Sequence, residues 1–282
     1  MMSRNNKPLI SLGIPVYNGE NYMSEAIDSL LNQTYTNIEI IICDNASTDK
    51  TKEICQGYVT KDPRIKYHRN EANIGAAKNF NLLVDLAEGE YFKWMACDDI
   101  CAPEYLERCV DALLEDPEVV WSHTRSVAIG EQSEFLRKVH WNIDLHSFLP
   151  NRRFADAILK NHDCLSVFGV IRIESLRKTD LIGNYIASDR TLIAQLSLLG
   201  RYGEIPIDSF YHREHSNRST KSHASMKDRQ RWFDPNSTLK FPNLKLFLEY
   251  FKSVRNSPIA RRQKALCFLH IFRWVLRGGQ NF

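Results

Sequence analysis

Apolar residues in the first 120 positions come in short dense runs, and between the runs they recur every three or four residues. Residues 9–14, 38–43, 65–68, 91–96 and 119–122 read as strands, each a short run rich in Ile, Val or aromatic side chains and bounded by polar residues. Between them Met23, Ala26, Ile27, Leu30 and Leu31 recur at helical spacing, as do Leu82, Leu83 and Leu86, then Leu106, Val110, Leu113 and Leu114. Ser47 is placed to cap the helix after the second strand, with Asp49 suiting the dipole of its first turn. Gly89 closes the helix before the fourth strand, and Pro103 opens the one after it. Strands separated by single helices predict an α/β fold with a mostly parallel sheet and right-handed crossovers.

The alternation weakens from residue 128. Residues 128–150 read as irregular or hairpin, 154–159 as a short helix and 167–173 as a strand. Residues 188–199 form a helix with Leu192, Ile193, Leu196 and Leu199 on one side, and 205–211 form a last strand. Residues 218–228 are polar and read as mobile; 241–250 and 259–276 are helical. In the last helix Arg262, His270, Arg273 and Arg277 share a face, while Phe268, Ile271, Phe272 and Val275 fall elsewhere. Such a helix either packs on the body or lies in a membrane interface. The chain thus divides into an α/β half (1–125), a second half of the same domain (126–217) and a basic, mainly helical extension (218–282).

Charge sharpens that division. The net charge of +3 conceals 13 Lys and Arg against 3 Asp and Glu from Lys221 onward, leaving 24 against 31 in the first 220 residues. An acidic body argues against nucleic acid as a partner, and an anionic substrate would need local cations or a metal to offset it. The basic extension suits peripheral contact with an anionic membrane face, or is a solvated helical end. Seven cysteines without a C-x-x-C pair fit reduced thiols in a cytoplasmic protein. The opening residues are too short and broken an apolar run for a secretory signal, and no stretch approaches the ~18 apolar residues of a membrane span.

Acids sit just past the ends of the apolar runs: Asp44 and Asp49, then Asp98 and Asp99. In an open α/β sheet those ends share one edge, where ligands bind. Carboxylates there without evident cationic partners suggest a divalent metal and a nucleotide. No G-x-G-x-x-G follows the first strand and no G-x-x-x-x-G-K-[ST] occurs, so a diphosphate here must be held by metal and side chains.

Four segments in order, Ile14-Pro15-Val16-Tyr17-Asn18, then residues 43–51 (Cys-Asp-Asn-Ala-Ser-Thr-Asp-Lys-Thr), then residues 73–79 (Asn-Ile-Gly-Ala-Ala-Lys-Asn), then Cys97-Asp98-Asp99, resemble the motifs of family 2 glycosyltransferases of the GT-A fold. The resemblance covers roughly residues 7–215. It implies transfer of a sugar from a nucleoside diphosphate donor, UDP- or dTDP-linked by preference, to a hydroxyl acceptor, with inversion, in surface polysaccharide or glycolipid synthesis. Asp44 would accept the pyrimidine ring N–H, with Pro15 and Tyr17 as the wall beside the base; a plain turn residue is the other reading of Asp44. Asn73 and Gly75 resemble the loop that lets backbone approach the donor, and Lys78 is the nearest cation for a phosphate. Asp98 and Asp99 resemble the family's D-x-D element, implying Mg²⁺ or Mn²⁺ on Asp99 and the ribose or the metal's water shell on Asp98; Cys97 stands where many members carry another acid or a small polar residue.

Within residues 185–192, Asp189 fits the family's catalytic base, with Ser188 where the usual preceding acid would stand. As plain structure the pair reads as cap and dipole partner of the helix. Past the last strand, Arg213 would pair with phosphate and His215 would be a further metal ligand. Two unit charges ~4 Å apart interact by about 4 kcal/mol at an effective dielectric of 20, and about 1.4 kcal/mol is tenfold in rate, so a cation beside a departing diphosphate is worth orders of magnitude. A catalytically silent sugar-nucleotide-binding or scaffold protein and a nucleotidyltransferase are the competing readings. The latter would want cations in the loop after the first strand, where residues 16–20 have none.

Overall fold

The computed structural model describes residues 7–140, 142–216, 218, 225–238 and 241–279. Strands β1 (Ile10–Val16), β2 (Ile38–Asp44), β3 (Ile65–Arg69) and β4 (Tyr91–Trp94) alternate with helices α1 (Met23–Leu31), α2 (Thr51–Val59) and α3 (Ala76–Leu86). After β5 (Ile100–Cys101) come α4 (Tyr105–Glu115), β6 (Val119–Ile129), β7 (Phe135–Val139) and α5 (Pro150–Leu159). A 3₁₀ turn (Leu165–Phe168), β8 (Val170–Arg172) and α6 (Ile173–Leu176) lead to α7 (Ser188–Leu199) and β9 (Arg201–Arg213). Helices α8 (Met226–Phe233), α9 (Pro242–Asn256) and α10 (Arg261–Leu276) follow.

The strands form one nine-stranded sheet in the order β3-β2-β1-β4-β8-β6-β9-β5, with β7 paired to β6. The long ladders, β1 with β2, β2 with β3 and β6 with β9, are parallel; β8, β5 and β7 join antiparallel. Strand alternation splits the core. Ile38, Ile40 and Ile42 face a cluster with Ile27, Leu30 and Leu106, whereas Ile41 and Cys43 face one with Trp94, Leu192 and Tyr250. Pro15 is tolerated inside β1 because the ladder to β4 stops at Gly13–Trp94, so its missing N–H removes no bond on that side.

Several sequence expectations are corrected. Ser47 does not cap α2: Lys50 holds that position, and the Asp49 carboxylate takes the Thr51 N–H instead. Ser188 is not the cap of α7 either; Ala187, left-handed at φ 62°, precedes the helix. The strand read at 119–122 runs on to Ile129 and the one at 205–211 spans Arg201–Arg213, because polar residues past the expected ends, including His123, Thr124, His212 and Arg213, are buried between neighbouring strands. The run at 167–173 is split among the 3₁₀ turn, β8 and α6. The stretch read as mobile, 218–228, lies largely outside the described residues, but Met226 already begins a helix, capped by Ser225, whose side chain accepts the Asp228 N–H.

Helix α8 and the turn after it pack on the loop before α3. Gly75 has φ 86° and ψ 155°, and a Cβ there would lie 2.7 Å from the Phe233 carbonyl oxygen and from Pro235. Both the backbone angle and the space demand glycine. Gly75→Ala is predicted to cost about 1–3 kcal/mol and to speed proteolysis of residues 225–238; an unchanged denaturation midpoint and cleavage rate would show that this contact is slack.

Candidate active site

Because β1, β2 and β4 are parallel neighbours, the residues after Val16, Asp44 and Trp94 meet on one edge of the sheet. Asp44 is fully buried there. Its carboxylate accepts the Ser47 N–H at 2.8 Å, the Tyr67 hydroxyl at 2.6 Å and the Arg69 guanidinium, which also donates to the Ser47 carbonyl. Burial raises the Asp44 pKa, but the bonds from Ser47, Tyr67 and Arg69 outweigh it and hold the carboxyl below the usual range. Asp44 is therefore not an open acceptor, and Arg69, one-third exposed, is the member of the pair that reaches the surface. Tyr17 is exposed at the end of β1, while Pro15 is buried within it.

The adjacent loop is tied by amides. Asn73 Oδ1 accepts from Asn45 Nδ2 and from the Gly75 N–H, each at 2.9 Å; Asn45 Oδ1 accepts the Ile74 N–H and Asn70 Nδ2; Asn70 also donates to Asn79, which donates to the Cys43 carbonyl. The loop that would approach a donor is thereby fixed to the end of β2. Lys78 lies beside it on an exposed helix face.

The acid pair follows β4 and is clamped by the end of β9. Asp99 is 0% exposed, and its carboxylate accepts the Arg213 N–H at 2.9 Å and His212 Nδ1 at 3.0 Å. Asp98 keeps a side-chain exposure of 20%, and its carboxylate meets His215 Nε2 at 2.9 Å. The Arg213 guanidinium, 0% exposed, donates to the carbonyls of Asp98, Gly130 and Glu131, to Ser133 Oγ and to the Glu25 carboxylate. Tyr22 lies over that guanidinium at 4.6 Å and against the His215 ring at 4.9 Å. Two expectations change. The Arg213 guanidinium is buried and its donors go to groups within the fold. Of the two acids the one with open surface is Asp98, and Asp99 is committed to His212 and to backbone. A third changes as well: Asp44 is not without a cationic partner, since Arg69 stands beside it.

Asp189 opens α7, half-buried, and accepts the Arg190 N–H at 2.8 Å. Burial pushes its pKa up, against the opposing Arg190 N–H and charge and a hydrogen bond from the Cys164 thiol. Cys164, left-handed at φ 57°, sits with its sulfur 3.5 Å from His162 Nδ1. The Arg190 guanidinium turns away from Asp189 to the carbonyls of Ala157, Lys160 and His162. A carboxylate with a raised pKa, unpaired by its neighbouring arginine side chain, is suited to accept a proton.

The family model for glycosyl transferase family 2 matches residues 11–179, more than half the chain. The chain belongs to that family. An uncharacterised glycosyltransferase of Haemophilus influenzae is 40% identical over 118 residues, 42% of this chain and 47% of that one, so the chain matches about half the length of this relative. S. aureus TarS residues 1–349, solved with UDP-GlcNAc, superposes with a TM-score of 0.66 at 18% identity, covering 95% of this chain and 72% of that one. The mannosyltransferase PcManGT of Pyrobaculum calidifontis, solved with GDP-Man and Mn²⁺, gives 0.62 at 16% identity over 96% and 70%. These likenesses establish the GT-A fold.

Within this family 2 chain, sequence reasoning missed residues that are far apart in the chain: Arg69 and Tyr67 beside Asp44, His212 beside Asp99, Cys164 beside Asp189, and Glu25 and Tyr22 beside Arg213. No alternation marks His212, since Ser209, Phe210, His212 and Arg213 at the end of β9 are all buried. Asp44→Asn is predicted to cost about 1–3 kcal/mol at pH 7. An acid whose pKa is lowered in the fold stabilises it above the unfolded value, ~3.9, and that stabilisation is lost as pH falls through the folded value. The gap between wild type and variant in urea melts must therefore close below about pH 4, and a constant gap would contradict the pairing. Arg213→Ala is predicted to lose about 3–5 kcal/mol; a variant that melts like wild type and only binds nucleotide more weakly would restore its phosphate role.

Proposed function

We propose that this chain transfers a sugar from a nucleoside diphosphate donor to a hydroxyl acceptor with inversion, using a divalent cation. The observation that carries the reading is the pairing of a partly open carboxylate, Asp98, with His215 on the strand edge that also holds Asp44 and the Asn73–Gly75 loop. Among the described residues no three His, Cys, Asp or Glu gather as a metal site. One carboxylate and one imidazole nevertheless fit Mn²⁺ or Mg²⁺ as a half-site, since such ions take one or two carboxylates and complete their shell with substrate phosphate and water. The cation is thus assigned to Asp98 and His215, with Asp99 holding the turn. When bound, it supplies counter-charge to the departing diphosphate.

The chain's own residues do the rest. Arg69, braced by Asp44, offers N–H donors to the carbonyls of a pyrimidine base, with Tyr17 as the exposed ring beside it; this favours a uridine or thymidine donor. Lys78 stands at the exposed start of α3 for a phosphate. Asp189 receives the acceptor proton as the new bond forms. The segment that reaches Asp189 through Cys164 also borders, through Asp163 and Leu165, a hollow of about 330 Å³ lined by Lys138, His140, Ser166 and Glu204. That hollow suits the polar rim of a glycan or glycolipid acceptor. In this reading residues 1–125 hold the donor, 126–217 supply acceptor contacts and base, and of the basic extension (218–282) helix α8 packs on the first half and α9 and α10 on the second.

The decisive assay supplies UDP-, dTDP- and GDP-sugars with Mn²⁺ and follows release of the nucleoside diphosphate. Asp189→Asn is expected to bind donor as wild type does and to lose about 10²–10⁴-fold in transfer. An acid whose pKa is raised in the fold favours stability below its unfolded value and loses that advantage as pH rises through the folded value, so the variant should melt at or above the wild-type temperature at pH 7. Lost donor binding or a lowered melting temperature would make Asp189 structural.

A further inference from the structure

We infer that the outer face of the α9–α10 hairpin is a docking surface for an anionic lipid bilayer, with the hairpin lying flat in the interface. Helix α10 turns Cys267, Ile271 and Trp274 inward and buries them. Its opposite face is also apolar: Leu269 is 59% exposed, Phe272 58% and Leu276 86%. Helix α9 repeats the pattern, with Leu246, Tyr250 and Val254 buried and Leu244, Leu248 and Phe251 exposed. The two outer faces join through Phe251 and Phe268, whose rings lie 4.7 Å apart. Isolated exposed apolar residues need no explanation, but a contiguous ridge across two helices marks an interaction surface.

Charge selects the occupant. Arg255, Arg261, Arg262, Arg273 and Arg277 are exposed around the ridge, and no Asp or Glu occurs from Tyr250 to Gly279. On α10, Arg262 and Arg273 flank the apolar stripe on one side, as in helices that lie in the headgroup region with arginines reaching phosphates. A second copy of this chain would bring like-charged arginines face to face. Among the described residues no helix is long and apolar enough to cross a membrane, so the mode is surface contact, not insertion across it. Each Arg near an anionic surface is worth about fivefold in partitioning.

The test is co-sedimentation of the full chain with vesicles of phosphatidylcholine alone or with one-quarter phosphatidylglycerol, at low and high salt, beside light-scattering measurement of its mass. Binding is expected only to the anionic vesicles, weakening with salt. It should fall at least about tenfold in Phe272→Glu/Leu276→Glu and again in Arg262→Glu/Arg273→Glu, because two reversed charges each remove more than one fivefold factor. All four side chains are exposed, so melting temperatures should not move; the arginine pair keeps the test valid if the apolar pair disturbs the fold. No binding to anionic vesicles, binding indifferent to both variants, or a dimer that becomes monomeric in Phe272→Glu/Leu276→Glu would each overturn the inference, the last in favour of self-association.

Discussion

The buried guanidinium of Arg213 is the constraint on which the acid edge depends. A charge removed from water is tolerable only where every donor is matched, and here the acceptors come from the turn after β4, the β6–β7 turn and α1 at once. The same residue gives its backbone N–H to Asp99, and the short β5 pairs antiparallel with β9 immediately beforehand. The turn carrying Asp98 is therefore held by strand pairing, by a carboxylate and by a charge. What is left with open surface after those bonds are made is Asp98, beside His215.

A similar division of labour recurs at the other two acids. Asp44 is saturated and holds Arg69 outward; Asp189 is partly shielded and left without an arginine partner because Arg190 is drawn to three carbonyls. One environment lowers a carboxyl pKa and the other raises it, by the same balance of desolvation against hydrogen bonds. Acids that look alike in the sequence acquire different chemistry from what folds against them.

The α/β half was legible because its helices and strands have clean periods: Met23 to Leu30 bury one helical face, and Ile38 to Asp44 is buried throughout. The second half was harder, since β6 and β9 bury His123, Ser126 and His212, residues that read as loop when only polarity is counted. The positions of the acids could be read, because each follows an apolar run. Which acid stays open could not, because that depends on Arg213 and His212, more than a hundred residues away in the chain. Neither cap assigned to a serine held, as the turns before α2 and α7 use an aspartate carboxylate and a left-handed residue instead.

The central claim is that Asp98, not Asp99, holds the cation, and calorimetry with Mn²⁺ and whichever of UDP, dTDP and GDP binds the wild type measures it most directly. Asp98→Asn should melt as wild type does and lose the manganese-dependent part of nucleotide binding, while Asp99→Asn should melt at lower temperature because it puts an amide NH2 where His212 Nδ1 has a second carboxylate oxygen and removes the buried charge. Manganese-dependent binding that survives in Asp98→Asn and vanishes in a well-folded Asp99→Asn would contradict the account.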